Sequence, residues 1–301
     1  MRGLRPVDAA GLLALGAIWG GSFVLIRVAV PALGPGPLVE LRVILGAVGL
    51  CAVALATRRA LGLWRDRWRF LFLGTISIVA PFLLISWAEL RLSAGLAAIL
   101  NSTTPLFTAL VVAAWLRHWI RPLQGLGLAL GMVGVAVISW RGAGTVSAAT
   151  LTAAAAILLA STCYAVGAVY ASRAFPGRPP LTLALGELLV AAAVVSPVAL
   201  AGAGTAVWTL PALGAAGLLG VLSTAVAYLL YFRLLARIGP TAAMTVTFLA
   251  PLFALIWGAL LLQERVTWVL LAGLAIILVS VLFVSGQPAP TVRAVAGDTG
   301  P

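Results

Sequence analysis

Two copies of the tripeptide Pro-Leu-Phe, starting at Pro105 and Pro251, lie 146 residues apart inside long apolar runs. Proline lacks an N–H and crowds the carbonyl four residues earlier, so Pro105 and Pro251 are expected to break their helices. The carbonyls released belong to Asn101 and Thr247, both polar and at equivalent positions. Facing lipid, such groups would be costly. Lining a wet cavity, they could coordinate an ammonium group or accept hydrogen bonds from a small solute. The competing reading keeps them inside the bundle, where Asn101 and Thr247 satisfy a packing kink.

Other residues widen this chemistry. Trp19, Ser22, Trp87, Thr103, Tyr164, Ser223 and Tyr228 all fall in apolar runs, and together with Asn101 and Thr247 they are the candidate lining of a substrate cavity. Tyrosine and tryptophan carry an apolar body and a polar tip, which suits amphipathic or cationic solutes, including by cation–π contact. The bland alternatives are helix packing for the small hydroxyl residues and an interfacial belt for Trp87. Charges inside apolar runs are fewer and costlier. Glu40 and Arg42 near the start of the second run and Glu187 in the seventh should face the bundle interior, each with a partner. Arg42 with Glu187 is the expected structural or gating pair. In the alternative reading, Glu187 or Glu40 carries a coupling proton, because desolvation favours the neutral acid.

These residues need a scaffold, and the composition defines it. The chain has 301 residues, 63% hydrophobic and 9% charged, so water cannot be the solvent for most of its surface. Ten apolar stretches run approximately over 8–30, 37–57, 69–88, 93–116, 122–140, 148–172, 180–201, 209–235, 239–262 and 266–285. Each is near the roughly 20 residues that cross a bilayer as a helix. The runs are too uniformly apolar for barrel strands, so an all-α polytopic membrane fold is expected. The first run is too long for a signal-peptide core, and Arg27 interrupts any approach to a cleavage site. The polar, Pro/Gly-rich 286–301 segment is expected to be a disordered cytoplasmic tail. Cys51 and Cys163 have no paired spacing and suggest neither a disulfide nor a metal site.

The formal charge of +12 comes from 19 arginines and no lysine. With the N-terminus in the cytoplasm, the inner side receives Arg2, Arg5, Arg58, Arg59, Arg65, Arg67, Arg69, Arg117, Arg121, Arg173, Arg178, Arg233, Arg237 and Arg293; the outer loops receive Arg91, Arg141 and Arg265. This asymmetry is a topology signal for ten spans with both termini inside, and it argues against nucleic-acid binding. Trp64 and Trp68 within the densest arginine cluster read as interfacial anchors.

Comparing residues 73–139 with 219–285 gives eighteen identities in 67 ungapped positions, among them Gly74/Gly220, Ser77/Ser223, Arg91/Arg237, Gly127/Gly273 and Ser139/Ser285. The chain therefore reads as two five-span repeats, 1–141 and 148–285. Five is odd, so the second copy enters the membrane from the opposite side. Inverted halves packed about an in-plane axis can exchange conformations, which is the logic of alternating access in secondary transporters.

Several segments carry a family resemblance. "IWGGSFVLIRVA" (18–29) is similar to a Trp-Gly-Ser-x-Phe opening, and "PLVELRVILGA" (37–47) to a Pro and Leu-Arg second span. The 220–267 segment has a tyrosine-rich eighth span, a Pro-Leu-Phe ninth span and Glu264 at its end. On these residues the chain resembles the ten-helix, exporter-type EamA members of the drug/metabolite transporter superfamily over about 8–285. It departs in having His118 where an acid often stands after the fourth span, and Tyr164 near a position where tryptophan is common.

The resemblance implies a secondary active transporter of the cell (inner) membrane that exports amino acids or related small amphipathic metabolites and drugs through a central cavity between the repeats. A nucleotide-sugar or sugar-phosphate carrier is the nearer alternative, and it would want more cationic groups in its pocket than Arg27 and Arg42. A passive channel is the last alternative. A membrane-embedded enzyme is disfavoured by a single histidine and no Gly-x-Ser-x-Gly element, and no cofactor is expected. Without lysine there is no phosphate-binding Gly-Lys loop to use ATP. The expected partners are a small-molecule substrate, the lipid bilayer and, if coupled, a proton.

Overall fold

The computed structural model describes residues 5–58, 63–116, 122–137, 147–243 and 245–285. His118, Ser139, Arg2, Arg59, Arg117, Arg121, Arg141, Arg293 and the 286–301 tail lie outside them. Regular structure among the described residues is helical: α1 (Pro6–Leu33), α2 (Pro35–Ala56), α3 (Arg67–Gly74), α4 (Ala80–Ala88), α5 (Ala94–Asn101), α6 (Thr104–Leu116), α7 (Pro122–Val137), α8 (Ala148–Ala174), α9 (Pro180–Ala203), α10 (Leu210–Gly220), α11 (Ala227–Ala243), α12 (Val246–Leu262) and α13 (Trp268–Ser285).

Local sequence explains where these helices begin and turn. Ser93, Ser147 and Thr209 cap α5, α8 and α10, their hydroxyls accepting from the amides of Leu96, Thr150 and Ala212. Between α1 and α2 a single residue, Gly34 at φ +76°, reverses the chain, and Pro35 and Pro37 start the next helix. A side chain at that φ would be strained, so glycine is required.

Among the described residues, seven helical stretches are long and apolar enough to cross a membrane, and α7, α12 and α13 are shorter apolar helices. Three spans are composite. The third, Arg67–Ala88, joins α3 to α4 through a π-helical turn at Thr75–Val79; the eighth joins α10 to α11 through another at Val221–Val226. The two π-turns begin 146 residues apart, so this irregularity belongs to the repeated unit. The fourth span, Ala94–Trp115, joins α5 to α6 through a turn at 102–103.

Packing follows the inverted repeat. The first span lies on the eighth and ninth, and the sixth lies correspondingly on the third and fourth. The second span packs on the eighth as the seventh packs on the third. The second and seventh, fourth and ninth, and fifth and tenth meet their own counterparts. Exchanging the halves maps this pattern onto itself, as an in-plane pseudo-twofold requires.

Small residues set the closest approaches, as expected where packing and not water drives association. A Cβ on Gly20 of α1 would stand 2.5 Å from the Ala250 carbonyl oxygen of α12; one on Gly127 of α7 would stand 2.8 Å from the Ser280 carbonyl oxygen of α13.

Candidate functional site

The π-turns build the centre of the molecule. In the eighth span the wider turn lets the Thr224 hydroxyl donate to the Leu219 carbonyl five residues back, at 2.9 Å. The same hydroxyl oxygen accepts from Arg42 Nε of α2 at 3.2 Å. The Arg42 guanidinium also lies over the Phe82 ring, 3.8 Å from its centroid. It is within electrostatic reach of Tyr164, Tyr228 and Glu89.

Glu187 occupies the counterpart position. A Cβ on Gly220, just before the second π-turn, would meet the Arg42 carbonyl at 3.0 Å; one on the equivalent Gly74 would meet the Glu187 carbonyl at 2.8 Å. Arg42 and Glu187 are thus related by the pseudo-twofold, each beside the π-turn of the other half. Among the described residues no ion pair joins them, which corrects the expected Arg42–Glu187 bridge. The reason is geometric: the Arg42 guanidinium is taken up by Thr224 and the Phe82 ring. Tyr228 lies within electrostatic reach of both, and of Tyr164 and Tyr231.

The remaining aromatics extend this cluster. Tyr228 stacks on Phe232, with ring centroids 5.7 Å apart, and Trp19 lies 5.5 Å from Tyr231. Tyr164 packs against both large apolar clusters of the core. The buried hydroxyl of Ser223 has no hydrogen-bond partner. Trp87 sits apart, at the far end of the third span, with the Arg91 guanidinium 4.6 Å from its ring centroid.

The proline segments differ from their sequence reading and from each other. The fourth span is interrupted at 102–103, and Pro105 is the second residue of the helix that follows. The Asn101 carbonyl is taken up within the bundle by the hydroxyls of Thr104 (2.7 Å) and Ser161 (3.5 Å). The Asn101 Oδ1 is buried without a partner. Ser22 and Thr103 are buried and donate to the carbonyls of Ile18 and Leu100 in their own chain segments. In the second half α12 runs unbroken through Pro251, which corrects the expected break there. Thr247 falls in its first turn. Gly239, at φ +79°, kinks α11; it is the repeat equivalent of Ser93 and marks the turn between the eighth and ninth spans.

Among the described residues Glu40 joins no ion pair: its Oε1 accepts from the Ser196 hydroxyl of α9 at 2.9 Å, while Oε2 is buried and unpartnered.

Both ends of the bundle are tied across the halves. At one end Asp8 pairs with Arg237 at 3.1 Å, and Asp66 pairs with Arg178 and, at 3.4 Å, with Arg69. A cavity of about 500 Å³ opens beside the second group, lined by Arg65, Asp66, Trp68, Arg69, Phe175 and Arg178 among others. At the other end Glu264 accepts from the amides of Ala94 (2.8 Å) and Gly95 (3.2 Å), capping α5 from the opposite half. There Arg27 donates to the Glu89 main-chain carbonyl. Every one of these bonds joins segments that the ten-span alternation puts on the same face.

Sequence reasoning missed Thr224 and Glu89. Thr224 adjoins the repeated Ser223, so the duplication could have pointed to it. Glu89 was passed over as part of a short loop.

Comparison with known proteins bears on the same architecture. The sequence model of the EamA-like transporter family matches twice, over residues 9–140 and 151–286. The uncharacterized inner membrane transporter YedA of Escherichia coli (strain K12) is 28% identical over 295 residues, spanning 94% of this chain and 92% of that protein. The threonine/homoserine exporter RhtA of the same strain is 28% identical over 267 residues, spanning 89% and 87%. A solved crystal structure superposes with a TM-score of 0.65 at 19% identity, over 91% of this chain and 95% of that one, and shares the fold. With ten apolar spans among the described residues, an inverted repeat and both halves matched, this chain belongs to the EamA-like transporter family.

Proposed function

We propose that the protein is a secondary active transporter of the inner membrane that exports small zwitterionic metabolites, amino acids foremost, by alternating access between its two halves. The observation that carries this reading is the placement of the Arg42 guanidinium and the Glu187 carboxyl, unbridged, at symmetric positions, with Tyr228 within electrostatic reach of both. An amino acid presents the complementary poles. Its carboxylate suits the planar fork of Arg42, whose Nε is already fixed by Thr224. Its ammonium suits Glu187 and the faces of Tyr164 and Tyr228. A relative of 28% identity bearing the name threonine/homoserine exporter supports the substrate class. The arginine asymmetry supports cytoplasmic termini.

The ties at the two ends are the groups that must open in turn. When the Asp8 and Asp66 pairs part, the centre opens to one side; when Glu264 leaves the α5 amides, it opens to the other. No chemistry is done on the solute, so no catalytic residue is proposed.

Counterflow in proteoliposomes tests the reading, with a panel of amino acids, their decarboxylated amines, sugars and nucleotides. Wild-type vesicles should exchange amino acids saturably. Arg42→Gln should lower amino-acid exchange roughly ten- to hundredfold while sparing the amines, and Glu187→Gln should weaken both. Absence of amino-acid exchange in wild type, or two variants that exchange normally, would overturn it.

A further inference from the structure

Glu89 has no part in the proposed substrate site, and its surroundings are unlike those of any other acid among the described residues. It lies in the short turn between the third and fourth spans, fully buried at 0% exposure. Neither carboxyl oxygen has a hydrogen-bond partner. Glu40, by contrast, is bonded by Ser196; Asp8 and Asp66 are paired with arginines; and Glu264 accepts two amides. Among the described residues, Glu89 is the acid that is both fully enclosed and bare; Glu187 is only half-buried and belongs to the proposed substrate site.

A carboxylate in that position forfeits its hydration and receives nothing back, whereas the neutral acid forfeits far less. Yet the site is not indifferent to charge. Arg27 of α1 and Arg42 of α2 are within electrostatic reach, and so is the Glu264 carboxylate from the segment after α12. Arg91, in the same turn, lies over Trp87. The two nearest cations are bonded elsewhere: Arg27 to the Glu89 main-chain carbonyl, Arg42 to Thr224. They favour an ionised Glu89 without clamping it, so modest hydration is enough to change its state. The position is also singular. Its repeat equivalent is Leu235, so the duplication supplies one such acid and not two.

We propose that Glu89 is a proton-binding site through which this transporter couples solute movement to the proton gradient, an inference that rests on the transport reading above. In the arrangement described, with Glu264 on the α5 amides, Glu89 holds the proton. When that tie opens, water reaches the turn and Glu89 takes its proton from the opened side, and the turn closes again over the neutral acid. When the Asp8 and Asp66 pairs part instead, water entering through the centre beside Arg42 reaches Glu89, the carboxyl O–H bond breaks and the proton passes to water on that opposite side, leaving a carboxylate that faces Arg27 and Arg42. One proton crosses per cycle, and no other co-reactant is needed.

Two measurements separate this inference from the transport reading. The first needs no substrate: infrared difference spectra of the reconstituted protein across a pH titration should show a protonated-carboxyl C=O band that Glu89→Gln removes and Glu89→Asp retains. If Glu89→Gln leaves that band intact, the inference fails whatever the protein transports. The second uses radiolabelled threonine as the probe. Glu89→Gln should lose pH-gradient-driven accumulation by about tenfold or more, while counterflow at equal pH persists because the amide mimics the neutral acid. Undiminished gradient-driven accumulation in Glu89→Gln overturns the coupling role. Wild-type vesicles that fail even in equal-pH counterflow of every panel compound overturn the transport reading instead.

Discussion

The two ends of the bundle are fastened in different ways. At the end with Asp8 and Asp66, side chain meets side chain at a water-accessible rim: the Arg69 side chain is 59% exposed, and Arg178 and Arg237 about a third. At the other end a carboxylate meets backbone. Glu264 takes two amides at the start of α5, where the helix dipole adds to the attraction. Its seat depends on a missing side chain, because a Cβ on Gly258 would lie 2.7 Å from Glu264 Oε2. Exposed ion pairs exchange readily for water and contribute little, whereas buried amides that lose their acceptor carry a larger desolvation penalty. The first end should therefore open with less resistance, and the second should set the barrier of the cycle.

Breaking each fastening in turn measures that difference. Glu264→Ala should have the largest effect, lowering stability by about 3 kcal/mol through two orphaned amides, read as a drop in the thermal midpoint in detergent. Asp8→Asn comes next, at about 1–2 kcal/mol, because Asp8 is buried and leaves Arg237 with a weaker partner. Asp66→Asn should cost about 1 kcal/mol or less, and its loss should shrink further in high salt, whereas the Glu264→Ala loss should be insensitive to salt. If Asp66→Asn proves as damaging as Glu264→Ala, the two ends are equivalent and the asymmetry of the cycle is lost.

The scaffold was legible in the residues because bilayer physics leaves few options. Ten apolar runs, an odd number in each repeat and a lopsided arginine distribution lead to the inverted architecture without any knowledge of packing. The offset of 146 even locates the two π-turns, although nothing in Gly74 to Ser77 or Gly220 to Ser223 announces a π-turn as such. The site was harder to read. Arg42 and Glu187 could be picked out as charges in apolar runs, but their partners depend on which neighbour the fold brings near, and Thr224 reached Arg42 where Glu187 did not. The prolines misled for a related reason: identical tripeptides sit in unlike surroundings, and only the first copy has a turn beside it. Glu89 was invisible because a loop acid is ordinarily hydrated, and only the packed structure encloses it.

The way the halves interlace has a consequence for biogenesis. The main helix contacts join one repeat to the other, and within the second repeat the packing between spans is slight, chiefly α9 against α11. Neither half has a core of its own. During synthesis the first five spans must therefore wait in the bilayer, with Asp8, Arg42 and the glycine faces of α1 and α7 unmatched, until their partners emerge. A protein built this way matures only after α13, the partner of α7, has been made. Truncation near the C-terminus should then be recognised by membrane quality control as severely as truncation in the middle.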